Sequence, residues 1–234
     1  MAGTALVTGA TRGIGAAVAA LLAGDGYRVV VTGRDPEAAR QVAAGLPGRG
    51  HRGVALDVDD PEAIEDVLAS LDGLDVLICN AAASPDWTES VLDADLWAVR
   101  EAMETNLYGP WLLAQAAVPL LLRSSRPQLV MVAGGAGSHG DPVFGLGRRG
   151  GLAPGHGISR AALLALTSAL AADLAGTPVL VNAVCPGLTA TFDGTGEPGA
   201  RPVATAASSV MWAVRIDDDG PRGGFFRDGE PVPW

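Results

Sequence analysis

Six short apolar runs punctuate the chain: TALVTGA (4–10), YRVVVTG (27–33), GVALDV (53–58), DVLICNA (75–81), QLVMVAG (128–134) and VLVNAVC (179–185). They are rich in Val and Leu and lack polar alternation, the pattern of strands covered on both faces. Between them IGAAVAALLAG (14–24), PEAARQVAAGL (36–46), PEAIEDVLASL (61–71), a long pattern through 91–123 and GISRAALLALTSALAADLAG (157–176) show helical spacing and helix-stop glycines. Strand–helix alternation predicts an α/β fold of Rossmann type. That is a doubly wound parallel sheet of about seven strands, helices on both faces in an α/β/α sandwich, joined by right-handed crossovers. A short strand near GGFFRD (223–228) closes the order, and the absence of repeats or linkers predicts one domain over residues 1–234. Residues 134–157 and 188–202 break the pattern with Gly-rich loops after strand C-termini, where doubly wound sheets bind ligands.

Composition narrows the function. The chain has 234 residues, 48% hydrophobic and 18% charged, an ordinary globular balance. No apolar run approaches the roughly 20 residues that span a bilayer. The opening MAGTALVTGATRGIG runs from a strand into a Gly-rich turn and lacks the regions of a secretory leader, so a cytoplasmic protein is expected. A net charge of −10 argues against nucleic acid or an anionic membrane as partner and leaves a small-molecule substrate. Cys79 and Cys185 lie in apolar strand ends, which argues against a disulfide framework. All 16 basic residues are Arg. Without lysine, the Walker phosphate loop and Schiff-base chemistry are both excluded.

TGATRGIG (8–15) sits between the first strand and the first helix. Gly9 permits a tight turn, Gly13 lets backbone approach a pyrophosphate, and Gly15 allows close helix–strand packing beside the positive end of the helix dipole. The second strand ends in VVVTGRD (29–35), with Arg34 where an NAD site places an acid; Arg12 lies inside the Gly-rich loop. Two guanidinium groups favour a ribose 2′-phosphate, hence NADP(H). Asp35 is expected to cap the helix that opens at Pro36.

These residues resemble the short-chain dehydrogenase/reductase family over nearly the whole chain. The family's Thr-Gly-x-x-x-Gly-x-Gly loop is matched by Thr8, Gly9, Gly13 and Gly15, with Thr11, Arg12 and Ile14 between them. Its adenine-contacting Asp-Val is matched by Asp57-Val58, and its Asn-Ala-Gly by Asn80-Ala81-Ala82. Its active-site Asn is matched by Asn106, and its Pro-Gly by Pro186-Gly187 with Thr189 just beyond. The tail looks like the carbonyl-reductase branch, which implies a monomer or a homo-oligomer.

The resemblance also implies a Ser-Tyr-Lys site, and here the chain departs from it. Gly134 stands at the Ser position, His156 at the Tyr position and Arg160 at the Lys position; only Asn106 is kept, and no tyrosine follows Tyr108. The separation of Gly134 from His156 exceeds the family's usual one, so Ser138 is a second candidate for the lost hydroxyl. His156 and Arg160, four apart, share a helix face. Arg160 can bond ribose hydroxyls as a lysine would. An imidazole donates or accepts a proton near neutral pH, and the adjacent cation favours its neutral, basic form. By analogy with an oxyanion-hole donor, losing the hydroxyl costs about 10²–10³ in rate. A substrate with its own acidity or charge suits the site better: an iminium, a quinone or an activated alkene.

Other constellations are weaker. Ser138 in AGSHG (136–140), with Asp141, loosely resembles a nucleophile elbow but does not run straight into a helix. His139, His156 and Cys185 have no metal-ligand spacing, so no metal is expected. Trp87, Trp97 and Trp111 lie in helical patterns and are expected in the core or an interface. Arg148-Arg149 is expected to be a solvated loop tip. Three functions remain open. One is an NADPH-dependent reductase of a carbonyl, iminium or enone in specialised metabolism. The second is a non-redox cyclase, isomerase or dehydratase using His156 as acid or base. The third is a nucleotide-binding protein without catalysis.

Overall fold

The computed structural model describes residues 3–148, 150–190 and 199–234. The chain runs β1 (Thr4–Val7), α1 (Gly13–Gly24), β2 (Arg28–Gly33), α2 (Pro36–Gly45), β3 (Arg52–Ala55), α3 (Pro61–Ala69), β4 (Val76–Cys79) and α4 (Leu96–Met103). A π-helical turn (Glu104–Tyr108) leads into α5 (Gly109–Leu121) and β5 (Gln128–Val132), and a 3₁₀ turn (Gly135–Gly137) follows. The remainder is α6 (Pro154–Asp173), β6 (Leu180–Val184), α7 (Val203–Arg215), β7 (Phe225–Arg227) and β8 (Glu230–Pro231). The sheet order is β3-β2-β1-β4-β5-β6-β7-β8. Strands β1 to β7 pair in parallel, and β8 returns antiparallel to β7. All the predicted strands form. Helix α7 and strand β8 are additional, the latter too short to leave a pattern in the sequence.

Successive strand residues feed opposite faces of the sheet. Leu6, Leu77 and Leu129 pack with α3, α5 and α6 through Ile64, Leu113 and Leu163. Val7, Ile78 and Val130 pack with α1 and α7 through Val18, Val210 and Met211. Burial of each such leucine or valine contributes about 1.5–3 kcal/mol. The long pattern through 91–123 does not form one helix. Pro110 has no N–H to offer the carbonyl of Asn106, and the ladder slips to π geometry at that point. Among the described residues no helix is long and apolar enough to cross a membrane.

Connections from β1 and β4 leave in opposite directions, which opens a crevice at the strand C-termini between them. The Gly-rich loop between β5 and α6 forms one wall of this crevice and is tied to the C-terminal tail. The Ser138 hydroxyl donates to the Pro233 carbonyl and accepts from the N–H groups of Gly140 (3.0 Å) and Asp141 (2.8 Å). Buried Asp141 pairs with Arg227 of β7 and accepts from Val143 N (2.9 Å) and Phe144 N (3.1 Å). Burial alone would raise the Asp141 carboxyl. Arg227 and the two backbone donors outweigh it and hold the carboxyl below its ordinary range.

A depressed carboxyl contributes stability that is complete above its unfolded value of about 4 and is lost as pH falls through the lower folded value. Asp141→Asn should therefore cost about 1–3 kcal/mol near neutral pH. The difference from wild type should shrink in acid, where protonation neutralises Asp141 and leaves it as uncharged as the Asn that replaces it. Urea midpoints at stepped pH check this, and a difference that persists unchanged in acid contradicts it.

Candidate active site

The crevice is a cleft of about 960 Å³, at the upper end of ligand-site volumes. Helices α2, α3 and α4 each open on an aspartate that accepts from first-turn N–H groups: Asp35, Asp60 and Asp95. Helix α1 opens on Arg12 with no side-chain cap, so its N-terminal N–H groups face the cleft as an anion site. Gly9 adopts φ +60°, and a Cβ there would lie 2.8 Å from the Ala81 Cα. A Cβ at Gly15 would lie 2.5 Å from both the Gly9 carbonyl oxygen and Asn80 Nδ2, so the start of α1 has no room for a side chain there. Arg12 and Arg34 are exposed at the lip of the cleft. Thr11, Gly13, Ile14, Asp57, Val58 and Asn80 line it, as do Ala81, Ala82, Pro186, Gly187 and Thr189. Asp35 is committed to capping α2, as expected, which leaves Arg34 as the charge at the end of β2.

At the far end Gly134 is extended (φ −154°), and a Cβ built on it would stand 3.7 Å from His156 Nε2 and 3.9 Å from Arg160 Cγ. Gly134 thus faces His156 and Arg160 across one gap. The Trp87 ring packs beside His156, centroids 5.9 Å apart and planes at 53°. Arg160 is only 5% exposed. Its Nη1 donates to the Val132 carbonyl (3.0 Å), and its buried Nε has no partner among the described residues. Burial pushes this guanidinium down to about 10, opposed by the neighbouring Cys185, and it stays charged at neutral pH. Cys185 lines the cleft, its sulfur accepting from Arg227 Nε and Nη2 (3.3 Å each) and Gly187 N (3.4 Å). Cys79 is pushed up to about 12 by burial, which marks an inert core thiol. An uncapped helix end, glycine backbone at the turn and an orphaned guanidinium nitrogen together fit a dinucleotide.

Three predicted site residues do not line the cleft. Thr8 is buried: its hydroxyl donates to the Ile78 carbonyl (3.3 Å) and accepts from Asn80 N (2.9 Å) and Ala81 N (3.0 Å), stitching β1 to β4. Asn106 is fully buried, accepting from Ala83 N (3.0 Å) and donating to Ser159 Oγ (2.9 Å); Ser159 in turn donates to the His156 carbonyl (3.1 Å). Asn106 therefore positions the first turn of α6 rather than facing a ligand. Ser138 is spent on the C-terminal tail and offers no hydroxyl to the cleft. The Asp141 carboxylate pairs with Arg227 and not with the Ser138 hydroxyl, so the elbow-like AGSHG segment does not form a Ser–Asp pair.

Among the described residues no His, Cys, Asp and Glu cluster forms a metal site, and His139 is exposed away from the cleft lining. Trp87 corrects the core-or-interface expectation: it lies on a non-helical segment and lines the cleft. Trp97 and Trp111 are 73% and 42% exposed, outside the core. Arg148 is exposed, while Arg149 and residues 191–198 lie outside the described residues. Phe144 lines the cleft too and left no signal in the sequence.

A family model described as short chain dehydrogenase matches residues 3–195. The chain belongs to the short-chain dehydrogenase family. Among curated members it is 32% identical over 187 residues to the 3-oxoacyl-(acyl-carrier-protein) reductase FabG of Vibrio cholerae, covering 78% of this chain and 72% of that one. It is 34% identical over 190 residues to human dehydrogenase/reductase SDR family member 4, covering 79% and 65%. The NADPH-bound carbonyl reductase of chicken fatty liver superposes with a TM-score of 0.86 at 26% identity, covering 100% of this chain and 99% of that one. A short chain dehydrogenase of Shigella flexneri in complex with NADP gives 0.83 at 25% identity, covering 97% and 96%.

Within this family site, Ser138→Ala should lower stability by about 1–3 kcal/mol and leave nucleotide affinity unchanged. Thermal melts and nucleotide titration of the variant check this. Lost activity in a variant of unchanged stability would restore Ser138 to the chemistry.

Proposed function

We propose that the protein is an NADP(H)-dependent reductase of a small-molecule carbonyl, iminium or enone, working with His156 and Arg160 where its family uses Tyr and Lys. The observation that carries this reading is the convergence of Gly134, His156 and Arg160 at one end of a dinucleotide-sized cleft. Arg12 and Arg34 at the opposite end, with no uncommitted acid at the end of β2, support a 2′-phosphate and so NADP(H). The NADP- and NADPH-bound structural neighbours support the same choice.

When bound, the reduced nicotinamide supplies two electrons as hydride. Arg160 gives its unpaired Nε and its charge to the ribose hydroxyls. His156 delivers a proton from Nε2 to the substrate heteroatom. The Trp87 ring packs beside the imidazole and limits where it can go. The chain Ala83–Asn106–Ser159 fixes the His156 backbone, so the ring approaches from a set direction. Gly134 leaves the substrate oxygen with one donor fewer.

Calorimetric titration tests the cofactor half. NADPH should bind at least about tenfold more tightly than NADH, and Arg34→Ala should remove most of that preference while sparing NADH. Binding of neither nucleotide contradicts the reading and returns His156 to redox-free acid–base chemistry. Gly134→Ser tests the other half. Its Cβ meets neighbours only at ordinary contact distances. The added hydroxyl should raise kcat toward the roughly 10²–10³-fold that one such donor contributes, with NADPH affinity unchanged. A variant that folds and binds NADPH but gains nothing contradicts the placement of Gly134 at the polarising position.

A further inference from the structure

Cys185 follows directly on β6 and lines the cleft with Arg160, Pro186 and Gly187. It takes no part in the reaction proposed above. The residue is only 2% exposed, so a molecule little larger than water reaches its sulfur, and reaches it from the cleft. Three N–H groups point at that sulfur: Arg227 Nε and Nη2 at 3.3 Å each and Gly187 N at 3.4 Å. The neighbouring Arg160 guanidinium is nine-tenths buried or more, and its Nε has no acceptor among the described residues. Asp141, the carboxylate of the same network, is already taken by Arg227. Around Cys185 the donors outnumber the acceptors, and one buried donor is unused.

The second thiol is a built-in contrast. Cys79 lies on β4, does not line the cleft, and is separated from β6 by β5. It cannot reach Cys185, so oxidation at Cys185 has no disulfide within the chain to end in. An oxygen added to the Cys185 sulfur changes the local balance. A sulfenate carries a negative charge and a strong acceptor, which two guanidinium groups favour and which gives Arg160 Nε the partner it lacks. That oxygen also stands at the donor offered to the ribose hydroxyls, so the oxidised sulfur and the nucleotide compete for one place.

We propose that Cys185 is a peroxide-sensitive modification site, at which oxidation to the sulfenate engages Arg160 and shuts the nucleotide out of the cleft. The inference rests on the nucleotide reading of the cleft and adds a regulation to it. The sulfur attacks one oxygen of a hydroperoxide; an S–O bond forms and the O–O bond breaks. Sulfur loses two electrons, the peroxide is reduced to water or an alcohol, and the thiol proton goes to that leaving oxygen. The sulfenic acid then releases its own proton to solvent. A small thiol reverses the change by condensing with the sulfenic acid, with loss of water, and a second thiol reduces the disulfide so formed.

Hydrogen peroxide tests this on the whole protein, with and without saturating NADP⁺. The reaction is stopped with catalase and quenched in denaturant containing dimedone, which traps a sulfenic acid irrespective of access, and the peptides are read by mass spectrometry. Dimedone should appear on Cys185 and not on Cys79, and NADP⁺ should suppress it. In parallel, NADPH affinity measured by calorimetry after catalase treatment should fall at least about tenfold and recover with dithiothreitol. Cys185→Ala controls for oxidation of methionine or tryptophan: its affinity, whatever its starting value, should be the same before and after peroxide. No adduct on Cys185, equal labelling of Cys79, or an adduct that leaves NADPH affinity unchanged overturns the proposal, as does a Cys185→Ala protein that still responds. Failure of NADPH to bind the reduced protein overturns the nucleotide reading instead, and the labelling of nucleotide-free protein still judges the modification.

Discussion

Arg160 sets a guanidinium into the floor of the cleft with a backbone carbonyl on one arm and, among the described residues, no carboxylate beside it. Removing such a charge from water costs several kcal/mol unless acceptors replace the lost hydration. The buried Nε finds none among the described residues. A ligand that brings oxygen atoms would offset this cost, which is why the proposed reading places the ribose end of a nucleotide here. His156, four residues earlier on the same helix, is carried to the same place, and Gly134 keeps the gap between them open.

Two networks hold this arrangement still. One runs from Ala83 through Asn106 and Ser159 to the His156 carbonyl and joins the π turn to α6. The other runs from the C-terminal tail through Ser138, Asp141 and Arg227 to Phe144 and Cys185, and fixes the long loop against β7. Neither contributes a reacting group. Both restrict where His156 and Phe144 can go, which is what the proposed proton donor, with one orienting hydroxyl fewer, requires.

The nucleotide half of the site was legible in the sequence because its chemistry is local. Gly9, Gly13 and Gly15 act within one turn, and Asp35 caps the helix two residues on. The strands were legible because each is buried on both faces. The reaction half was less so. Thr8, Asn106 and Ser138 are polar residues whose partners lie 70, 53 and 95 positions away, and spacing says nothing about such pairs. Trp87 was assigned to a helical pattern, yet residues 80–95 form no helix, and the ring packs beside His156. The proposed placing of His156 and Arg160 at the Tyr and Lys positions rests on register, whereas the place of Trp87 and Phe144 on the cleft wall came from tertiary contact alone.

The proposal that His156 carries the proton is tested most directly by the pH dependence of kcat for NADPH-dependent reduction of a carbonyl substrate, in wild type and His156→Gln. The wild-type rate should fall as the pH rises and the imidazolium is lost, and His156→Gln should lose about 10²-fold or more together with that dependence. A variant that keeps the rate, or a wild-type profile that climbs with pH, would contradict the account and assign the proton to solvent or to another group.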